Sequence, residues 1–343
     1  FNERIQLRSK NISDQKLLKY LKFCEYKNNG NLITFFEITT AAAFKAFQES
    51  KADYLILETG LGGRFDATNI IKKSKFAAIT PISLDHQEYL GNSLNQISFE
   101  KLGILNSKST VFINRQKTSV MKYIKSELKK RNLEAFIFGS HWKVRSNYYV
   151  SDNIKVDMSK LNLLGSHQFI NAGLGIHIAL NILKEKFVIE KTVEALAKCE
   201  WSGRLQQIKK GIINSKIKKY KNIFLDGFHN IDGMKSLIAS LPKNKKILIC
   251  SFLNNKKYIQ MLSTLSKHFS EIIVVKMNEE NSITENLLPK NLKLYFANSL
   301  KESFKTINSL SSKNTSVYFG GSLYFIGEVL KMNQSKNFVS LNT

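Results

Sequence analysis

Asp53-Tyr-Leu-Ile-Leu-Glu58-Thr-Gly-Leu-Gly-Gly63 is an apolar run that stops at a carboxylate and then at three glycines within four positions. The run is too short for a helix and reads as a strand, and the glycines read as the loop that follows it. In an open parallel sheet, ligands bind beyond the carboxyl ends of the strands, which is where Glu58 falls. Gly60, Gly62 and Gly63 let backbone approach a ligand closely. Arg64 and Asp66 add one charge of each sign. The same features also fit a plain glycine-rich turn carrying a surface ion pair.

The rhythm extends outward from this segment. Upstream, Thr39 to Phe47 carries Ala and Phe at helical spacing. Downstream, Lys75 to Ile79 and Ser109 to Asn114 read as strands, Val120 to Lys130 as an amphipathic helix, and Ala135 to Phe138 as a further strand. Lys143 to Val156 changes to short β-like alternation, and helices follow over Asn171 to Leu183 and Lys191 to Cys199. A Lys- and Ile-rich stretch near Gly211 marks a boundary, so the expected division is 1–207, a linker 208–220, and 221–343. The second part repeats the alternation with strands at 222–225, 246–250, 271–275, 292–296 and 316–319. Strands alternating with helices imply an α/β chain: a mostly parallel first domain and a Rossmann-like second one.

The formal net charge of +25 raises the question of a polyanionic partner. The lysines are scattered, with no aromatic-interleaved run, which fits a solvated surface and argues against a nucleic-acid module. No run approaches ~18 apolar residues, so a membrane span is not expected. Cys24, Cys199 and Cys250 are far apart and form no metal spacing, which points to structural thiols and the cytoplasm. Leu84-Asp85-His86 follows the strand that ends at Ile79, so His86 is either a metal ligand beside a carboxylate or an ordinary turn residue.

Eight segments in order resemble the folylpolyglutamate and dihydrofolate synthases, which are Mur-ligase-like enzymes. Thr34-Phe-Phe-Glu37 matches TFFE, and Glu58 to Asn69 matches ExGLGGRxDATN. Leu84 to Gly91 matches LDHxxxLG, and Glu100 to Ile104 matches EKxGI. Gly165 to Ala172 matches a GxHQxxNA-type segment, Trp201 to Leu205 matches WxGRL, Leu225 to Asn230 matches LDxxHN, and Gly321 to Tyr324 matches GSLY.

The resemblance implies a ligase that activates a carboxylate with ATP as an acyl phosphate and joins it to the amino group of L-glutamate. It implies Mg2+ held by Glu58 and His86, and a catalytic pair of His86 and Lys101, the latter matching a carbamylated lysine. Thr34, Phe35, Phe36, Glu37, Phe65, Asp66 and Ala67 match positions that contact the pterin substrate, although Phe35 and Phe36 also suit a core. Asn171, Arg204 and Asp226 match nucleotide contacts, with His229 beside them. The implied partners are folate or dihydropteroate, L-glutamate and ATP, with no membrane or nucleic acid, and the implied assembly is a monomer. A cell-wall Mur-type amino-acid ligase and a non-catalytic folate- or nucleic-acid-binding paralogue are the alternatives.

Some positions depart from the family pattern. No GxxxxGK[ST] segment occurs in the sequence, and the family's Ser-Pro-His-Leu loop has no counterpart before Asn2. The chain therefore reads as N-terminally truncated and inactive as it stands. Phe99 stands where the family often has Arg, and Ser251 to Lys257 differs from the family's loop.

Overall fold

The computed structural model describes residues 1–71, 73–152, 154–310 and 314–334. The chain divides into two compact units, Phe1–Ile137 and Phe138–Thr343. The last part of the expected second domain, 335–343, lies outside the described residues.

The first unit contains β1 (Gln6–Leu7), β2 (Lys10–Asn11), α1 (Asp14–Asn28), α2 (Phe35–Ser50), β3 (Phe76–Ile79), α3 (Gln87–Leu90), α4 (Leu94–Lys101), β4 (Thr110–Ile113), α5 (Thr118–Lys130) and β5 (Ala135–Ile137). Strands β3, β4 and β5 form a parallel sheet in that order, with Phe76 opposite Thr110 and Val111 opposite Ala135. Ile79, Val111 and Ile113 pack with Ile97, Leu102, Val120 and Ile124 in one core. The parallel α/β reading of this half holds, with β3, β4, α5 and β5 close to their expected places.

The segment 53–58 departs from its expectation. It forms no ladder with any described strand. Tyr54 and Leu55 are exposed, and Ile56 is 92% exposed. Its composition suits a strand, but strand identity comes from pairing, and no described edge pairs with it.

The second unit contains β6 (Trp142–Arg145), β7 (Tyr148–Ser151), β8 (Ile154–Asp157), α6 (Ser166–Leu183), α7 (Ile189–Ala197), β9 (Gln206–Gln207), α8 (Ile212–Lys216), β10 (Asn222–Leu225), α9 (Ile231–Ile238), β11 (Lys245–Cys250), α10 (Tyr258–Leu265), β12 (Glu271–Val275), β13 (Tyr295–Ala297), α11 (Leu300–Ser309), β14 (Thr315–Gly320) and α12 (Leu323–Gln334). The β-like alternation after Lys143 is the antiparallel meander β6-β7-β8. Helix α6 lies close against it: a Cβ on Gly173 would stand 2.8 Å from Val144 Cγ2 and 2.9 Å from Trp142 Cζ3.

The large sheet runs β13-β12-β11-β14-β10-β9, all parallel except β9, which is antiparallel to β10. Successive side chains of a strand point to opposite faces. Accordingly Ile247, Ile249, Ile273, Val275, Val317 and Phe319 join one core, and Leu248, Cys250, Ile272, Val274 and Tyr318 join the other. Residues from α8, α11 and α12 cover the first face, and residues from α9 and α10 cover the second. Burial on both faces explains the unbroken apolar runs of β11 and β12. The stretch 208–220 is packed structure: it contains α8, and Ile208, Ile213, Ile217 and Tyr220 are buried in the first of these cores. No helix among the described residues is long and apolar enough to cross a membrane.

Candidate functional site

In the first unit, the loop from Glu58 to Asn69 is held by its own polar residues. Asp66 is only 8% exposed. Its Oδ2 accepts from Leu61 N–H at 2.7 Å, and its Oδ1 accepts from Thr68 N–H at 2.9 Å and Thr68 Oγ1 at 2.6 Å. The Asn69 amide donates to Arg64 O and Gly103 O, each at 3.2 Å. A short polar side chain that caps its own backbone fixes a loop without secondary structure. The expected surface ion pair of Arg64 with Asp66 is therefore replaced: Asp66 serves the loop, and Arg64 stands 3.9 Å from Glu100.

The loop lies backbone to backbone on the end of α4. Arg64 N–H donates to Glu100 O at 2.9 Å. A Cβ on Gly63 would sit 2.9 Å from Glu100 O and 3.0 Å from Lys101 O, and a Cβ on Gly103 would collide with Arg64 Cα and Cβ. Glycine is required at both positions by close approach, which brings Glu58 to Asn69 against Glu100-Lys101. The Arg64 guanidinium lies over Phe65 at 4.6 Å and over Phe99 at 5.1 Å. Phe99, which stands where the family often has Arg, thus gives Arg64 an aromatic face.

Lys101 is half-buried, and burial pushes its ammonium below its ordinary pKa, against an opposing pull from the Asp85 carboxylate. His86 has left-handed backbone (φ 49°, ψ 42°) and begins α3. This conformation is uncommon for a residue other than glycine and carries strain. Asp85 accepts a hydrogen bond from the His86 backbone N–H at 3.0 Å. The side chains of Glu58 and His86 make no hydrogen bond or ion pair among the described residues, and Glu58 is exposed. No group of three His, Cys, Asp or Glu residues forms a metal cluster among the described residues.

The expected pterin residues separate into two kinds. Thr34 and Glu37 form a capping box at the start of α2: Thr34 N–H and Oγ1 donate to Glu37 Oε2 at 2.8 and 2.6 Å, and Glu37 N–H donates to Thr34 Oγ1 at 3.2 Å. These bonds from Thr34 hold the Glu37 carboxyl below its usual range. The rings of Phe35, Phe36 and Phe65 are exposed, Phe65 at 82%, so the core reading of Phe35 and Phe36 does not hold. Phe36 lies against Gly60, where any Cβ would meet its ring, and Phe35 packs edge-on against Phe1 at 5.4 Å. Ala67 is half-buried beside Asp66.

In the second unit, Asp226 follows β10 at the carboxyl end of the sheet. Its Oδ2 accepts from Leu205 N–H at 2.9 Å and its Oδ1 from Phe228 N–H at 3.0 Å. Burial raises its pKa, opposed by those two bonds and by the charges of Arg204 and His229. Arg204 sits between two residues of positive φ, Gly203 (72°) and Leu205 (44°), and Gly227 N–H donates to Gly203 O at 2.7 Å. The guanidinium lies beside Gly227 and makes no hydrogen bond or ion pair among the described residues, so its charge is available to an anion. His229 Nδ1 stands 3.1 Å from Gly227 O.

Asn171 is exposed on α6, one turn beyond His167, and donates to Gln168 Oε1 at 3.3 Å. His167 was not singled out from the sequence. Its Nδ1 is buried without a hydrogen-bond partner among the described residues, and burial and then the charge of Arg204 lower its pKa. The spacing of His167 and Asn171, four apart on one helix, was the available signal.

This α/β scaffold, with residues gathered beyond the strand ends, is that of the Mur-type ligases, and the chain belongs to the family described as Mur ligase middle domain, whose model matches residues 10–186. Its curated relatives are folate enzymes. It is 28% identical over 365 residues to the dihydrofolate synthase/folylpolyglutamate synthase of Bacillus subtilis, covering 96% of this chain and 81% of that one. It is 28% identical over 340 residues to the dihydrofolate synthetase of Saccharomyces cerevisiae, covering 90% and 78%. Its fold matches Mycobacterium tuberculosis folylpolyglutamate synthase complexed with ADP and AMPPCP at a TM-score of 0.83 and 22% identity, covering 97% of this chain and 82% of that one. It also matches E. coli FolC in complex with DHPP and ADP at 0.82 and 20%, covering 96% and 78%.

Proposed function

We propose that the chain is an ATP-dependent ligase that joins L-glutamate to a folate or dihydropteroate carboxylate. The observation that carries this reading is the loop Glu58–Asn69 packed on Glu100-Lys101, in a chain whose relatives are dihydrofolate and folylpolyglutamate synthases. The substrate carboxylate oxygen attacks the γ-phosphorus of ATP and ADP leaves. The α-amino group of glutamate then attacks the acyl carbon, phosphate leaves, and the amine gives up a proton.

Each group has a task that its setting supports. The exposed faces of Phe35, Phe36 and Phe65 offer stacking area to a flat heterocycle. Thr34 and Glu37 fix the start of α2, which carries Phe35 and Phe36, and Asp66 fixes the loop that carries Phe65 and Ala67. Glu58 and His86 would hold magnesium, which when bound offsets the repulsion between phosphate and carboxylate. The depressed pKa of Lys101 raises its fraction of neutral amine, the form that reacts with carbon dioxide to give a carbamate anion. Arg204 supplies a cation for phosphate, and Asp226, His229 and Asn171 supply polar groups for the nucleoside. We assign the chain to the cytoplasm as a monomer; its three unpaired cysteines suit a reducing compartment.

The reading is tested by titrating the chain with dihydropteroate and with a fluorescent ADP analogue, and by 13C NMR under labelled carbon dioxide. Saturable binding of both ligands and a carbamate resonance lost in Lys101→Arg are the expected results. No binding of either ligand would overturn the reading. The sequence has no GxxxxGK[ST] segment, so binding without turnover is expected of these 343 residues. Glutamate-dependent ADP release by this chain would refute that expectation.

A further inference from the structure

A cavity of about 550 Å3 opens in the second unit, on the sheet face that α9 and α10 cover. That size lies within the usual range for small-molecule sites. Its floor is aromatic: Phe224 of β10 and Tyr318 of β14 are register partners, and their rings stack with centroids 5.1 Å apart and 19° between planes. Ser166, Phe169 and Ile170 of α6 form a wall. No charged side chain among the described residues lines it, although the chain carries a formal net charge of +25. A site for phosphate or carboxylate would need cations or a ring of donors, so the lining selects an uncharged occupant.

Tyr318 supplies the second observation. The residue is 2% exposed, yet its hydroxyl has no hydrogen-bond partner among the described residues. The hydroxyl oxygen is not among the fully buried polar atoms that lack a partner, so it opens onto the cavity that Tyr318 lines, where it can donate to an occupant. Burial pushes its pKa up to about 12, so it remains a protonated donor throughout the neutral range.

The cavity borders the candidate nucleotide residues, but none of Asn171, Arg204, Asp226 and His229 lines it. On α6, Ser166, Phe169 and Ile170 occupy one side, and His167 and Asn171 point roughly 120° away around the helix. Leu205 is the partition: its side chain lines the cavity, and its backbone N–H donates to Asp226 Oδ2.

We propose that this cavity is a second small-molecule site, built for an uncharged planar heteroaromatic ring that accepts a hydrogen bond from Tyr318 Oη. The test is a calorimetric titration of the full chain with quinazolin-4-one, a neutral bicyclic ring, and with its 2-carboxylate. Saturable one-site binding of the neutral ring is expected, with the carboxylate at least tenfold weaker despite the positive protein. Tyr318→Phe should weaken binding about five- to tenfold, and Ser166→Trp, which fills the wall, should abolish it. Magnesium ADP should not displace the ring. Absence of saturable binding, equal or tighter binding of the carboxylate, displacement by magnesium ADP, or wild-type affinity in a folded Tyr318→Phe variant would each overturn the proposal. Circular dichroism establishes folding, and if Ser166→Trp fails to fold, Tyr318→Phe decides alone.

Discussion

Gly103→Ala tests the packing that brings the Glu58–Asn69 loop to Lys101. The new Cβ would stand 2.9 Å from Arg64 N and closer still to Arg64 Cα and Cβ. Carbon contacts are optimal near ~3.5–4.0 Å, so the loop must retreat by about 1 Å. Overpacking of this kind costs about 1–3 kcal/mol. The retreat also stretches the bonds from Arg64 N–H to Glu100 O and from Asn69 Nδ2 to Gly103 O, each worth ~1 kcal/mol. Alanine returns ~0.5–1 kcal/mol by restricting the unfolded chain, leaving a net loss of about 2–4.5 kcal/mol when both bonds are lost. Gly175→Ala is the matched control, because nothing lies within 4 Å of its added Cβ on α6, and it should gain ~0.5–1 kcal/mol. Urea unfolding by circular dichroism, with amide exchange across 61–69, reads both variants. If Gly103→Ala unfolds at or above the wild-type urea concentration with unchanged exchange, the close packing inferred here is wrong.

Asp66→Asn keeps the shape but leaves only one oxygen for the donors of Leu61 and Thr68, so unfolding should show a loss of about 1–3 kcal/mol. Arg204→Ala should weaken binding of a fluorescent ADP analogue at least tenfold and lower the unfolding midpoint slightly, since its charge offsets the buried Asp226 carboxylate; unchanged affinity in the folded variant would remove Arg204 from the site. Burial beside Trp142 and Tyr149, and then the charge of His141, lower the His177 pKa to about 4, whereas the unfolded chain takes its proton near ~6.5. The unfolded state therefore binds more protons between these values, so the stability is whole above about pH 6.5 and falls as pH drops toward 4. The loss should be about 3 kcal/mol by pH 4. A folded His177→Gln variant should flatten that slope in urea titrations at stepped pH.

Much of the fold was legible because burial writes itself into pattern. The sequence places β10 and β12 at their observed bounds, and β11 and β14 within a residue, since strands buried on both faces become unbroken apolar runs. β13 begins three residues later than expected, at Tyr295, because Leu292 and Leu294 pack against the core without joining the ladder. The run 53–58 has strand composition, but pairing is a property of neighbours that composition does not carry. The Thr34 and Glu37 spacing was itself a helix-start signal, and its side chains are engaged with each other. The glycines of 60–63 suggest close approach of a ligand, whereas at Gly63 the observed close approach is to the backbone of Glu100 and Lys101, 37 and 38 residues further along the chain and so beyond local reading. His167 was passed over because its burial beside Arg204 depends on tertiary packing.

The central claim, that this chain is built to hold a pterin carboxylate, is tested most directly by isothermal titration with dihydropteroate. The account predicts saturable binding between ~1 μM and 1 mM, the ordinary range for enzyme substrates. Phe36→Ala and Phe65→Ala should weaken it, and removing the far more exposed Phe65 ring should change stability by less than ~0.5 kcal/mol. Absence of dihydropteroate binding, together with a steeply salt-dependent affinity for RNA, would contradict the account and make the +25 charge the functional feature.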